Sequence, residues 1–191
     1  RDVNYYRVGT GADLFLGMPV AIDSTGYVNA INTTTGGAVQ ALGVIVGFAG
    51  TLKRSIATPD PFLDVSDLTP PDPSSDTGDR YVLVADNPNQ EFYIQADTGG
   101  TLATLADIGN IITGLYRATS GNTSTGWANL ELDASTNVTG TAGQYQLLRV
   151  HDAVNNDGTE NAAGANYTKW VVRIYHHQKV GGIIPTSAGI V

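Results

Sequence analysis

Apolar residues in this chain fall in short runs, many alternating with polar ones, and Gly, Asn, Asp, Ser and Thr bound the runs. In Lys169-Trp170-Val171-Val172-Arg173-Ile174-Tyr175, the side chains of Trp170, Val172 and Ile174 share one face, the period-two pattern of a strand with a buried side. That places Trp170 in a core. Leu130-Glu131-Leu132-Asp133 alternates in the same way and sets its carboxylates opposite its leucines, as surface acids. Runs rich in β-branched and aromatic residues predict strands over 19–22, 27–31, 41–48, 80–85, 91–96, 111–117, 144–151 and 169–177. Helical periodicity is nearly absent, and one short helix is predicted over 102–107. The chain reads as all-β: a small β-barrel, then a second β-barrel or sandwich, with extended arms at both ends.

Between residues 55 and 79 the pattern breaks. Pro59, Pro61, Pro70, Pro71 and Pro73 interleave there with Asp60, Asp64, Asp67, Asp72, Asp76 and Asp79. Proline has no N–H for a β-ladder, so this stretch is no central strand. It divides the chain into an N-terminal arm and barrel (1–56), a linker or arm (57–78) and a second all-β domain with a C-terminal tail (79–191). The plainer reading is a stiff, solvated linker; the sharper one is an extended arm on a neighbouring subunit, with Phe62, Leu63, Val65 and Leu68, more apolar side chains than a free linker needs, as its candidate contacts. Tyr5, Tyr6 and Arg7 at the N-terminus are contact candidates of the same kind. The tail 180–191 is apolar but interrupted by Gly181, Gly182, Pro185 and Gly189.

Composition narrows the function classes. The 191 residues include 10 Lys and Arg against 18 Asp and Glu, a formal charge of -8, and only 15% are charged. Phosphate backbones and anionic lipid repel such a chain, so neither nucleic acid nor a membrane is expected as a partner. The chain has no cysteine, which removes disulfides, thiolate zinc sites and cysteine nucleophiles together. No apolar stretch reaches the roughly 18 residues that cross a bilayer, and Arg1-Asp2-Val3-Asn4 opens no signal peptide.

Tests for chemistry fail one after another. Gly9-Thr10-Gly11 lacks the third glycine of a dinucleotide loop, no Gly-Lys-Ser/Thr loop occurs, and Gly121 to Gly126 has the wrong spacing for a nucleophile elbow. His151, His176 and His177, with Asp152, are the candidates for a metal or acid–base site. Adjacent residues on a strand point to opposite faces, so His176 and His177 do not grip one metal, and all three rings are read as ending strands at a solvated rim. Aligning Gly158 with a calcium-loop glycine puts Ala153 and Gly164 where carboxylates are required, so Asn156-Asp157-Gly158 reads as a hairpin turn instead. Asp79, Asp86, Glu91, Asp97, Glu131 and Asp133 flank or line strands and read as surface acids rather than a hydrolytic pair. No catalytic, cofactor-binding or metal-binding residue is assigned, no cofactor is expected, and the chain is not read as an enzyme.

A resemblance supplies a role. Gly17-Met18-Pro19-Val20 leading into Asp23-Ser24-Thr25-Gly26, then Gly43-Val44-Ile45-Val46-Gly47, resembles the small β-tulip barrel of tailed-phage capsid decoration proteins. There Gly26 would make a tight turn, and Gly43 and Gly47 would permit close backbone approach. Val84-Ala85-Asp86-Asn87-Pro88, Phe92-Tyr93-Ile94-Gln95, Leu130 to Asp133 and the aromatic, basic stretch from Trp170 to Gln178 follow in the order seen in structural proteins of marine and cyanobacterial phages. The Pro-rich stretch has no counterpart in the compact barrel. The resemblance implies a virion protein on the outer capsid surface that clamps neighbouring major capsid subunits and stabilises the head. It also implies a homo-oligomer, a trimer with a dimer as the alternative. A carbohydrate-binding β-module is the rival reading, and it requires exposed aromatic rings.

Overall fold

The computed structural model describes residues 2–8, 13–31, 40–49, 81–98, 102–138, 143–152, 154 and 158–180. The expectation of an all-β protein holds. Its strands are β1 (Val3–Arg7), β2 (Pro19–Ile22), β3 (Val28–Ala30), β4 (Gly43–Ala49), β5 (Tyr81–Ala85), β6 (Glu91–Gln95), β7 (Ile111–Asn122), β8 (Trp127–Val138), β9 (Tyr145–Val150) and β10 (Lys169–Ile174). They form two five-stranded antiparallel sheets, ordered β1-β5-β4-β2-β3 and β6-β10-β9-β7-β8. The predicted helix is one 3-10 turn, Leu105–Asp107, whose Asp107 carboxylate accepts from the Thr104 backbone N–H at 2.7 Å.

Local chemistry explains the first sheet. Asp23 joins β2 to β3 by accepting from the backbone N–H groups of Thr25 (2.8 Å) and Tyr27 (3.2 Å) and from the Asn29 amide (2.6 Å), while Gly26 supplies the φ of +84° that closes the turn. Asp23→Ala is therefore expected to cost about 1 kcal/mol in urea unfolding, since the turn amides are solvated once the carboxylate is gone. Gly43 does sit against backbone: a Cβ there would lie 2.2 Å from the Ala85 carbonyl oxygen. Gly47 does not, its nearest atoms lying 3.6 Å away on the Leu83 side chain.

Two expectations about organisation change. β1 pairs along its whole length with β5, from Val3 opposite Ala85 to Arg7 opposite Tyr81, so Val3–Arg7 is an edge strand of the sheet and not a loose arm. β5 itself lies between β1 and β4, so the first sheet takes strands from both sides of residues 57–78, which lie outside the described residues. In the second sheet β7 runs on to Asn122, because Gly121 and Asn122 keep pairing with Ala128 and Trp127 through polar positions that carry no period-two signal. β10 stops at Ile174, and the next residues turn away from the sheet.

Each sheet has its own core. Leu14, Phe15, Met18, Val20, Leu42 and Ile45 pack with Val82 and Val84 of β5 in the first. Trp170, fully buried as its parity predicts, packs with Ile112, Leu132, Leu147 and Val172 in the second. The end strands of the second sheet approach at an Ala96–Leu132 bridge, which curls it toward a barrel. Two further parallel bridges stitch the sheets together, Leu16 to Trp127 and Ala41 to His177. Ile31 and Ala41, from the first half, join the Trp170 cluster.

Candidate functional site

Between the stitched sheets lies a groove of about 350 Å³. Val44, Ile45 and Val46 of β4 form one wall, and Phe92, Tyr93, Ile94 and Gln95 of β6 the other. Trp127 closes one end, where Leu16 N–H donates to Gly126 O and Ala128 N–H to Leu16 O, both at 2.8 Å. The indole packs over Gly17, and a Cβ on Gly17 would meet it at 3.7 Å. Trp127 is nevertheless 60% exposed, Tyr93 69% and Val46 50%. The Tyr93 ring is held edge-on against His151, with centroids 4.1 Å apart and an interplanar angle of 81°. None of the described residues lining the groove is charged, and Gln95 supplies the main polar side chain. Burying such a surface against a partner is favourable at little desolvation cost.

A second cluster is polar and buried. Asp86 follows β5 and is 1% exposed. Its carboxylate accepts from Asn4 Nδ2 at 3.0 Å to both oxygens, from the Tyr6 hydroxyl, and from Lys179 Nζ. Burial pushes the Asp86 carboxyl up, but the bonds from Lys179, Tyr6 and Asn4 outweigh that and hold it below its ordinary value. The Tyr6 hydroxyl is pushed up by burial and by the neighbouring carboxylate. The reading of Asp86 as a surface acid is thus overturned: it is the hub joining β1, the end of β5 and the chain after β10.

The histidine reading changes as well. His176 and His177 are buried, at 7% and 2% exposure, and do not end a strand at a solvated rim. β9 and β10 run antiparallel, so His151 pairs beside Lys169 at the far end of β10 from them. His151, Asp152 and Glu160 line a wide depression of about 840 Å³, yet among the described residues no three His, Asp or Glu side chains converge as metal ligands. Glu131 is covered rather than exposed. Among the described residues no helix is long and apolar enough to cross a membrane.

The candidate contact residues separate by strand alternation. Tyr5 points outward and is 58% exposed, Tyr6 turns inward to Asp86, and the Arg7 guanidinium lies 5.6 Å from the centre of the Tyr27 ring. Phe62, Leu63, Val65 and Leu68 lie outside the described residues. Sequence reasoning did not assign Tyr93 or Trp127 as contact residues, although parity marks both: Tyr93 sits between the inward Phe92 and Ile94, and Trp127 is out of phase with Leu130 and Leu132. Nothing in the sequence marks Lys179 as the partner of Asp86, 93 positions away. Fold and site together define an all-β protein whose two sheets meet at an uncharged, aromatic-rimmed groove. No protein-family model, curated protein or solved structure matches the chain.

Proposed function

We propose that this chain is a structural virion protein that binds the outer surface of a tailed-phage capsid and clamps neighbouring major capsid subunits. The observation that carries the reading is the uncharged groove with Val46, Tyr93 and Trp127 exposed around it, the composition of a protein contact surface. The order of the sequence motifs supports it independently. A closed homo-oligomer, in this reading a trimer, repeats the patch once per subunit and turns modest contacts into firm attachment by avidity. A net charge of -8 keeps the outer face of a particle soluble.

Density-gradient sedimentation of the source material, followed by mass spectrometry, tests this. The chain is expected to run with particles at a fixed ratio to a major capsid protein; migration as a free small species would overturn the reading. Trp127→Ala is expected to cost no more than about 2 kcal/mol of folding stability, because the ring is mostly solvated, while weakening particle binding roughly tenfold or more. Because β1 belongs to the sheet, Tyr5→Ala probes the N-terminal contact without removing a strand. The rival reading, a carbohydrate-binding module, draws on the same two exposed rings. It predicts glycan-array binding that Trp127→Ala abolishes, in a protein that does not sediment with particles.

A further inference from the structure

After β10 the chain leaves the second sheet and lies down on the first. Tyr175 N–H donates to Gln144 O at 2.8 Å, beside the start of β9. Ala41 N–H then donates to His176 O at 2.8 Å, and Gln178 N–H to Ala41 O at 2.9 Å. The Gln178 side chain pairs with the backbone of Ile22 at both ends: its Oε1 accepts from Ile22 N–H at 2.8 Å and its Nε2 donates to Ile22 O at 2.9 Å. Lys179 reaches Asp86. Four consecutive residues thus hold β2, Ala41 and the β1–β5 edge to the far sheet.

At the centre of this turn is the His177 ring. Its Nδ1 accepts from the Lys179 backbone N–H at 3.0 Å, the bond that bends the chain so that Lys179 meets Asp86. An acceptor nitrogen carries no proton, so the proton of the neutral ring is on Nε2. Nε2 is buried with no partner in hydrogen-bond geometry, though the nearby Leu42 backbone favours the protonated ring. A second proton on the ring would turn Nδ1 into a donor facing another donor. The charged groups around it give the new cation little. The Lys179 ammonium on the same turn repels it, and the Asp86 carboxylate beyond β5 is already engaged by Asn4 and Tyr6 of β1 and by Lys179.

We infer that residues 176–179 form an acid-released clasp, in which protonation of the buried His177 ring breaks the Lys179 turn and frees the end of the second sheet from the first. Burial, then the Lys179 charge, lower the His177 pKa from its ordinary 6.5, with Asp86 and the Leu42 backbone opposing. The sign follows directly. Above about 6.5 both open and closed forms are neutral, and the clasp has its full stability. Below that value the open form takes up a proton that the closed form refuses, so closure weakens until pH reaches the lowered pKa of the closed form. One proton shifts the equilibrium by at most about tenfold per pH unit.

The test is amide exchange and histidine NMR on the full chain between pH 7.5 and 4.5, with intrinsic exchange rates divided out. Protection of the Ala41, Gln178 and Lys179 amides is expected to fall by up to tenfold per pH unit below 6.5, while Ile45 and Val172 hold theirs. The His177 ring signal should half-titrate below 6.5, after loss of protection has begun. His177→Asn, which keeps an acceptor near Nδ1 but does not titrate, should lose the pH dependence. Clasp amides that follow the core amides at every pH, or a His177 that titrates without loss of Lys179 protection, would overturn the inference. So would an unaltered pH dependence in His177→Asn; should that variant not fold, the two wild-type readouts decide alone.

Discussion

Replacing Asp86 with alanine is expected to lower the unfolding free energy by about 3 kcal/mol. The carboxylate is buried and serves donors from Asn4, Tyr6 and Lys179, all of which its removal leaves without that acceptor. The figure sits at the low end for a broken buried ion pair because the Lys179 side chain is 40% exposed and water solvates its ammonium. Urea unfolding at pH 7 measures it. A loss under 1 kcal/mol would show the cluster to be a spectator. The pH dependence separates this group from His177. Asp86 is held below its unfolded value of 3.8, so its stabilisation is complete above that pH and disappears as pH falls below it. Loosening near pH 6 that Asp86→Ala still shows therefore belongs to the histidine.

Gly43→Ala is expected to be more damaging, costing about 4 kcal/mol and much of the soluble yield. Its Cβ would stand 2.2 Å from the Ala85 carbonyl oxygen, 2.7 Å from Val84 Cγ1 and 2.9 Å from the Ala85 carbonyl carbon. Two of these atoms are backbone and cannot turn aside. β4 is hydrogen-bonded to β5 on one side and to β2 on the other, so neither neighbour can yield without breaking a ladder. Gly47→Ala on the same strand is the control. With its nearest atoms at 3.6 and 3.8 Å, it should shift stability by less than about 1 kcal/mol. Equal thermal midpoints for the two variants would refute the argument.

The strands were legible because their signal is local. Period-two alternation put Trp170, Val172 and Ile174 on one buried face, and the turn chemistry of Asp23 and Gly26 located the β2–β3 hairpin. The same logic separates the outward Tyr5 from the inward Tyr6 once Val3–Arg7 is known to be a strand, though a five-residue run at a terminus reads equally well as an arm. β5 illustrates the limit from the other side: Tyr81–Ala85 is plainly a strand, but nothing within it says that it pairs between β1 and β4.

By itself, then, the sequence determined the all-β class, most strand positions, the burial of Trp170 and a net charge of -8. Only the tertiary structure decided that Asp86 is a buried hub and not a surface acid, that His177 is sealed inside a turn, and that Tyr93 and Trp127 frame one groove. The physical reason is range. Alternation, turns and net charge are properties of neighbouring residues or of the sum over the chain. The Asp86–Lys179 pair and the groove depend on which strands pair, and residues 93 positions apart acquire their meaning only when the sheets bring them into contact.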